Sequence, residues 1–209
     1  MDIDVLIEQI TSQDWIEWTG LITGVIYVLL ATYEKPSCWI FGIISSAAIA
    51  WKSFNEYKLI ADGFLQVFYI VIGLIGLWHW LRGRTENKQK PIITSPIWHH
   101  AIAIGMCLIV SDPLAYFMVE YLGAKYGYLD MVITLGSVWA TILLVRKDLH
   151  NWIYWIVLDF MLIFLYFVSE AYLFSVLFIL YTLIAFLGYR QWNLSKRHAN
   201  YSAETTEHT

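Results

Sequence analysis

The chain has 209 residues, of which 59% are apolar and only 14% charged, with a formal net charge of -4. Soluble domains carry about 25% charged residues, so this balance and the positive mean hydropathy exclude an ordinary water-soluble domain and point to an integral membrane bundle. The long apolar runs lack ten-residue alternation, which argues against a β-barrel, and two isolated cysteines, Cys38 and Cys107, exclude a disulfide scaffold and a cysteine metal site.

In chain order, residues 1–14 read as an extracytoplasmic segment, either a short amphipathic helix or a frayed acidic tail. The acidic start, MDIDVLIEQI, lacks the basic region of a signal peptide. Seven spans are predicted at about 15–33, 38–54, 61–80, 98–119, 127–145, 151–168 and 171–189. The second is the weakest, diluted by Ser45, Ser46 and alanines. Gly20 and Gly24 suit a close helix contact in the first. Residues 81–97 form a basic hydrophilic linker. Ser111-Asp112-Pro113 interrupts the linking helix at 98–119, where the proline is expected to kink or shorten it. The tail at 190–209 is polar and expected to be loose and cytoplasmic.

With the N-terminus outside, the cytoplasmic face collects Lys35, Arg82, Arg84, Lys88, Lys90, Arg146, Lys147, Arg190, Lys196 and Arg197, ten of the 13 basic residues. The positive-inside rule therefore gives N outside and C inside, and an odd number of spans.

Two tryptophan intervals agree: Trp39 to Trp80, and Trp152 to Trp192. Tyr69 then pairs with Tyr181 and Gly76 with Gly188. The expected fold is an all-α membrane protein of seven helices in a 3+1+3 arrangement. Its two parallel three-helix repeats are residues 15–80 and 127–189.

The most informative stretch is Asn151 to Tyr166, NWIYWIVLDFMLIFLY. Helical spacing places Trp152, Trp155, Asp159 and Tyr166 on one stripe. An acid against lipid costs about 2.5–3.5 kcal/mol on insertion scales, so Asp159 is expected to face protein or a polar cavity. The indoles suit a flat or cationic solute. The third span carries a second stripe of Asp62, Gln66, Tyr69, Gly73, Gly76 and Trp80, and Gln66 offers both donor and acceptor. Structural glue between helices is the plainer reading of Gln66 and Tyr69. For Asp159 the alternatives are a structural acceptor or part of a proton relay. Tryptophans at span ends, and His99 and His100, are expected at the interface or in solvent. No phosphate-binding glycine loop, nucleophile elbow or metal-ligand spacing occurs in the sequence, so no catalytic residue, cofactor, metal or nucleic acid is expected.

The runs QVFYIVIGLIGLWHW (66–80), NWxxWxxxD (151–159) and LGYRQW (187–192) resemble the PnuC family of bacterial vitamin transporters, over about residues 15–192. The resemblance implies a 3+1+3, SWEET-like fold in the bacterial inner membrane and facilitated diffusion of an unphosphorylated vitamin precursor. A cytoplasmic kinase would trap the solute without needing to touch the transporter. Substrate contacts are then expected from Asn151, Trp152, Trp155, Asp159, Tyr166, Gln66 and Tyr69, with the two halves rocking about the site. The nicotinamide riboside branch often carries asparagine where this chain has Asp159. That departure favours thiamine and the branch called PnuT, with nicotinamide riboside as the alternative. A seven-helix enzyme or receptor is the rival class, although residues 171–189 hold no lysine for a retinal Schiff base. Homo-oligomerisation is left open.

Overall fold

The computed structural model describes residues 2–57, 60–82, 90–122 and 127–207. Residues 83–89 of the basic linker, with Arg84 and Lys88, lie outside the described residues, as do Lys58 and Lys125. Eight α-helices follow in order: α1 Ile3–Ser12, α2 Trp15–Thr32, α3 Cys38–Asn55, α4 Ile60–Arg82, α5 Ile97–Leu122, α6 Gly127–Val145, α7 Asn151–Val168 and α8 Tyr172–Glu207. No strand is present among the described residues, only an isolated bridge between Ile93 and Asp148.

This corrects the expected seven-helix, 3+1+3 arrangement of two repeats. There are eight helices among the described residues, and six of them (α2 and α4 to α8) are long and apolar enough to cross a membrane. The SWEET-like pair of repeats is not evident. The physical reasons lie in α1 and α3. α1 is a real helix because the Asp2 carboxylate accepts from the Asp4 N–H at its start. It is held down where Gln9 donates to the Glu170 carbonyl at 2.6 Å and accepts from the Leu173 N–H at 3.0 Å. α3 is too polar to qualify as a span because Ser45, Ser46, Lys52 and Ser53 are all buried in it against protein.

α2 begins with a capping box. Asp14 accepts from the Ile16 and Glu17 N–H groups, and Glu17 accepts from the Asp14 N–H at 2.7 Å. α3 then runs antiparallel to α2, with Gly20 against Ile49 and Gly24 against Ser45. α4 returns along α3. Lys52 joins the start of α2 to the end of α3 through Asp14 at 3.0 Å, Glu17 at 3.5 Å and Glu56.

The opposite end of the bundle is closed by indoles. Trp39, Trp80, Trp152 and Trp192 are all buried, and Trp80 and Trp152 each meet Trp192. Trp39 lies on Gly76 and Trp152 on Gly188; a Cβ there would come within 2.5 and 2.6 Å of the respective rings. Only glycine permits this approach. The Trp80 indole N–H donates to the Val145 carbonyl at 3.0 Å, and the Trp192 indole N–H to the Ala31 carbonyl at 3.1 Å. The first bond caps the carbonyl at the end of α6; the Ala31 carbonyl accepts from the Glu34 N–H at 3.0 Å as well. The buried Lys147 ammonium pairs with Glu34 at 2.9 Å and lies over the Trp80 ring.

Two other expectations change. Pro113 sits inside α5, which continues to Leu122 rather than stopping. The tail expected to be loose is the second half of α8. Ser195 donates to Glu34 at 2.9 Å and Lys196 to Thr94 at 2.9 Å, docking the helix beyond the tryptophan layer.

Candidate functional site

A cavity of about 180 Å³ lies between α2, α3, α4, α6, α7 and α8, directly above the tryptophan layer. α7 contributes Trp152, Trp155 and Asp159, whose spacing of three and four places them on one face. α4 contributes Gln66, Tyr69 and Gly73. Five of the seven residues singled out in the sequence therefore line one space: Gln66, Tyr69, Trp152, Trp155 and Asp159.

Asp159 is 2% exposed. Among the described residues it has no hydrogen-bond or ion-pair partner, a rare condition for a buried carboxylate. The lining contains no lysine, arginine or histidine. Its polar groups are the Gln66 amide and the hydroxyls of Tyr27, Ser45, Ser46, Tyr69, Thr141 and Tyr181. Gln66 donates to Asp62 at 3.5 Å, a long contact that leaves its amide available. The Tyr69 hydroxyl pairs with Ser137 at 2.6 Å, tying α4 to α6. Trp152 is 1% exposed, and its buried indole N–H lacks an acceptor.

Asn151 and Tyr166 are not part of the lining. The Asn151 side chain donates to the Asp148 carbonyl at 2.6 Å and shapes the first turn of α7. Tyr166 stacks on Phe178 with ring centroids 5.5 Å apart, and Phe178 in turn lines the cavity. Tyr27 and Tyr181 line the cavity without having been singled out as ligands. A signal for Tyr181 was present, since Tyr181, Ala185, Gly188 and Trp192 repeat the spacing of Tyr69, Gly73, Gly76 and Trp80. Tyr27 carried no comparable signal; it faces the cavity because α3 approaches it closely at Gly42.

A cavity of this kind can bind a small flat cation between rings and one carboxylate. It holds no nucleophile–base pair or metal-ligand group that would do covalent chemistry, and no group of three metal-ligating side chains occurs among the described residues.

The family model described as "Nicotinamide mononucleotide transporter" matches residues 14–194. The chain belongs to this family. It is a multi-pass bacterial inner-membrane transporter, not an enzyme. It is 26% identical to the nicotinamide riboside transporter PnuC of Escherichia coli K12, over 88% of this chain and 87% of that one. It is 23% identical to the nicotinamide riboside transporter PnuC of Neisseria mucosa, over 95% of this chain and 80% of that one. A crystal structure of the vitamin B3 transporter PnuC superposes with a TM-score of 0.72 at 20% identity, covering 93% of this chain and 87% of that chain. That likeness shows a shared fold. The PnuC resemblance thus stands, and the thiamine assignment is overturned: these relatives are named for nicotinamide riboside, and nothing found supports a thiamine-specific PnuT branch. The physical reason is that Asp159 cannot discriminate. Both solutes carry a permanent positive charge on an aromatic ring, and a carboxylate serves either.

Proposed function

We propose that this chain carries nicotinamide riboside into the cell by facilitated diffusion, with phosphorylation by a cytoplasmic kinase trapping the solute. The relatives named for nicotinamide riboside support the choice of solute, and Asp159, a buried and unpartnered carboxylate in an aromatic cavity that contains no base, supports the choice of a cation. The pyridinium ring of the solute supplies the missing positive charge. Trp152 and Trp155 stack on that ring, while Gln66 and Tyr69 take polar edges of the carboxamide and ribose. Asn151 and Tyr166 act from outside the lining, Asn151 by shaping the first turn of α7 and Tyr166 by backing Phe178.

The same charge pattern opposes the phosphorylated mononucleotide. A phosphate seeks arginine, lysine or clustered N–H donors, and here it would meet Asp159 and no cationic side chain. The unphosphorylated riboside is therefore the solute. Release towards the tryptophan layer requires Trp80 and Trp192 to leave the Val145 and Ala31 carbonyls. That end carries Arg146, Lys147 and Lys196, and the positive-inside rule supports reading it as the cytoplasmic one.

Calorimetry on the purified protein with nicotinamide riboside and with nicotinamide mononucleotide tests this. The riboside is expected to bind and the mononucleotide to give no signal. Mononucleotide binding equal to or tighter than riboside binding would sink the proposal, as would the absence of riboside binding.

A further inference from the structure

A second cavity, of about 410 Å³, lies on the other side of α7, between α5, α6 and α7. His150, which caps α7, lines it together with Ile153, Tyr154, Val157, Leu158 and Met161 of α7, and α5 lines it from Ile97 to Leu108. From 97 to 108, and from 150 to 161, is eleven residues, about 16 Å of helix. Half of a hydrocarbon core of about 30 Å is about 15 Å. The groove is thus as long as one leaflet is deep.

Its polarity is graded along that length. Apart from the Trp139 indole and the Cys107 thiol, which donates to the Val132 carbonyl, the polar side chains of the wall are His100, His150 and Tyr154, at the end where α5 and α7 begin. Trp98, exposed on the first turn of α5, marks the same level as membrane interface. The polar end is a connected network. Asp148 is fully buried and accepts from the Ser95 N–H at 2.8 Å and the His150 N–H at 3.0 Å, with His150 Nδ1 3.1 Å from its carboxylate. Hydrogen bonds link His150 Nδ1 to His100 Nε2 at 3.1 Å and His100 Nδ1 to the Tyr154 hydroxyl at 3.1 Å. His150 Nε2 has no partner among the described residues, and the His150 side chain is 31% exposed. The neighbouring Arg146 is exposed.

We propose that this groove is a binding site for one anionic membrane phospholipid. An acyl chain lies along Ala103, Ile104, Leu108, Val157 and Met161, and the headgroup phosphate meets the free Nε2 edge of His150 beside the Arg146 guanidinium. A leaflet-long apolar channel with its histidines at the interfacial end matches an amphiphile lying parallel to the bilayer normal. A water-soluble ligand would have to enter through hydrocarbon.

Native mass spectrometry on protein taken from nanodiscs containing phosphatidylglycerol and phosphatidylethanolamine tests this. Retention of one phosphatidylglycerol is expected. His150→Ala should reduce that retention about fivefold, the scale of one interfacial cationic contact. Ala103→Trp should abolish it by filling the channel. Nicotinamide riboside binding, measured on the same samples, reports whether each variant is folded. Loss of riboside binding in one variant leaves the other as the test. No retained lipid in wild type, equal retention in both folded variants, or preference for phosphatidylethanolamine would overturn the proposal. Because both lipids are read by mass, failure here is distinguishable from failure of the riboside assignment.

Discussion

α7 separates two cavities of opposite design. On one face Trp152, Trp155 and Asp159 border an aromatic cavity whose acid has no partner. On the other face His150, Tyr154, Val157 and Leu158 border a larger, nearly apolar groove whose acid, Asp148, is fully paired. The turn before α7 thus satisfies its carboxylate with two backbone N–H groups, and about three helical turns further on another carboxylate is left bare. Burying an ionised group without a partner is unfavourable, so the bare acid is a feature that stability alone would remove. The paired acid organises a chain turn; the bare one awaits a charge.

The largest expected effect on this contrast comes from Trp152→Ala. The indole is buried, fills the space over Gly188 and meets Trp192 edge-on at 5.5 Å. Its removal should cost about 3–5 kcal/mol of stability, seen as a lowered melting temperature in detergent, together with loss of riboside binding. A variant that melts like wild type would show that the tryptophan layer does not hold the cavity floor.

Asp159→Asn should part stability from function. Riboside affinity is expected to fall about 10-fold to 100-fold, the scale of a hydrogen bond to a charged group of about 1.5–3 kcal/mol. The melting temperature should stay level or rise, because a buried carboxyl without a partner is gone. Calorimetry and a thermal scan on the same preparation check both. Unchanged riboside affinity would remove Asp159 from the site.

Much of this contrast was legible in the sequence, because helical periodicity assigns faces well. The stripe of Trp152, Trp155 and Asp159 and that of Gln66 and Tyr69 do converge on one cavity. Periodicity says nothing about depth, however. Tyr166 shares the stripe but lies seven residues beyond Asp159, about 10 Å along the axis, and stacks on Phe178 instead. Nor does it see burial by distant segments. His100 reads as an interfacial residue until α7 brings His150 and Tyr154 against it. Lys52 and the serines make α3 too polar to count as a span, yet the structure buries them against protein. The second half of α8 reads as a polar tail, and only its contacts with Glu34 and Thr94 show where it docks.

Tyr69→Phe should act on the cavity side alone, and more weakly. It deletes the 2.6 Å bond to Ser137 that joins α4 to α6. The expected cost is about 0.5–1.5 kcal/mol in stability, with a comparable loss of riboside affinity and no change in lipid retention. A change in lipid retention would mean that the two faces of α7 are coupled through α6.

The smallest effect is expected far from both cavities and serves as their control. The carboxyl of Asp14 is held below its ordinary range, first by the hydrogen bond from the Glu17 backbone and then by the Lys52 side chain, with burial opposing. A carboxyl lowered in the folded state contributes stability that is present above its unfolded value near 3.8 and lost as pH falls through its folded value. Asp14 is solvated, so salt screening keeps the contribution modest. Asp14→Asn should therefore lower the melting temperature slightly at neutral pH, and the difference from wild type should vanish on acidification below the usual carboxylate range. Riboside affinity should not follow that titration, because Asp14 caps α2 at the end of the bundle remote from the tryptophan layer. Affinity that tracked the Asp14 titration would place the route into the cavity through the Lys52 cluster, and the bare acid on α7 would then not be the first charge the solute meets.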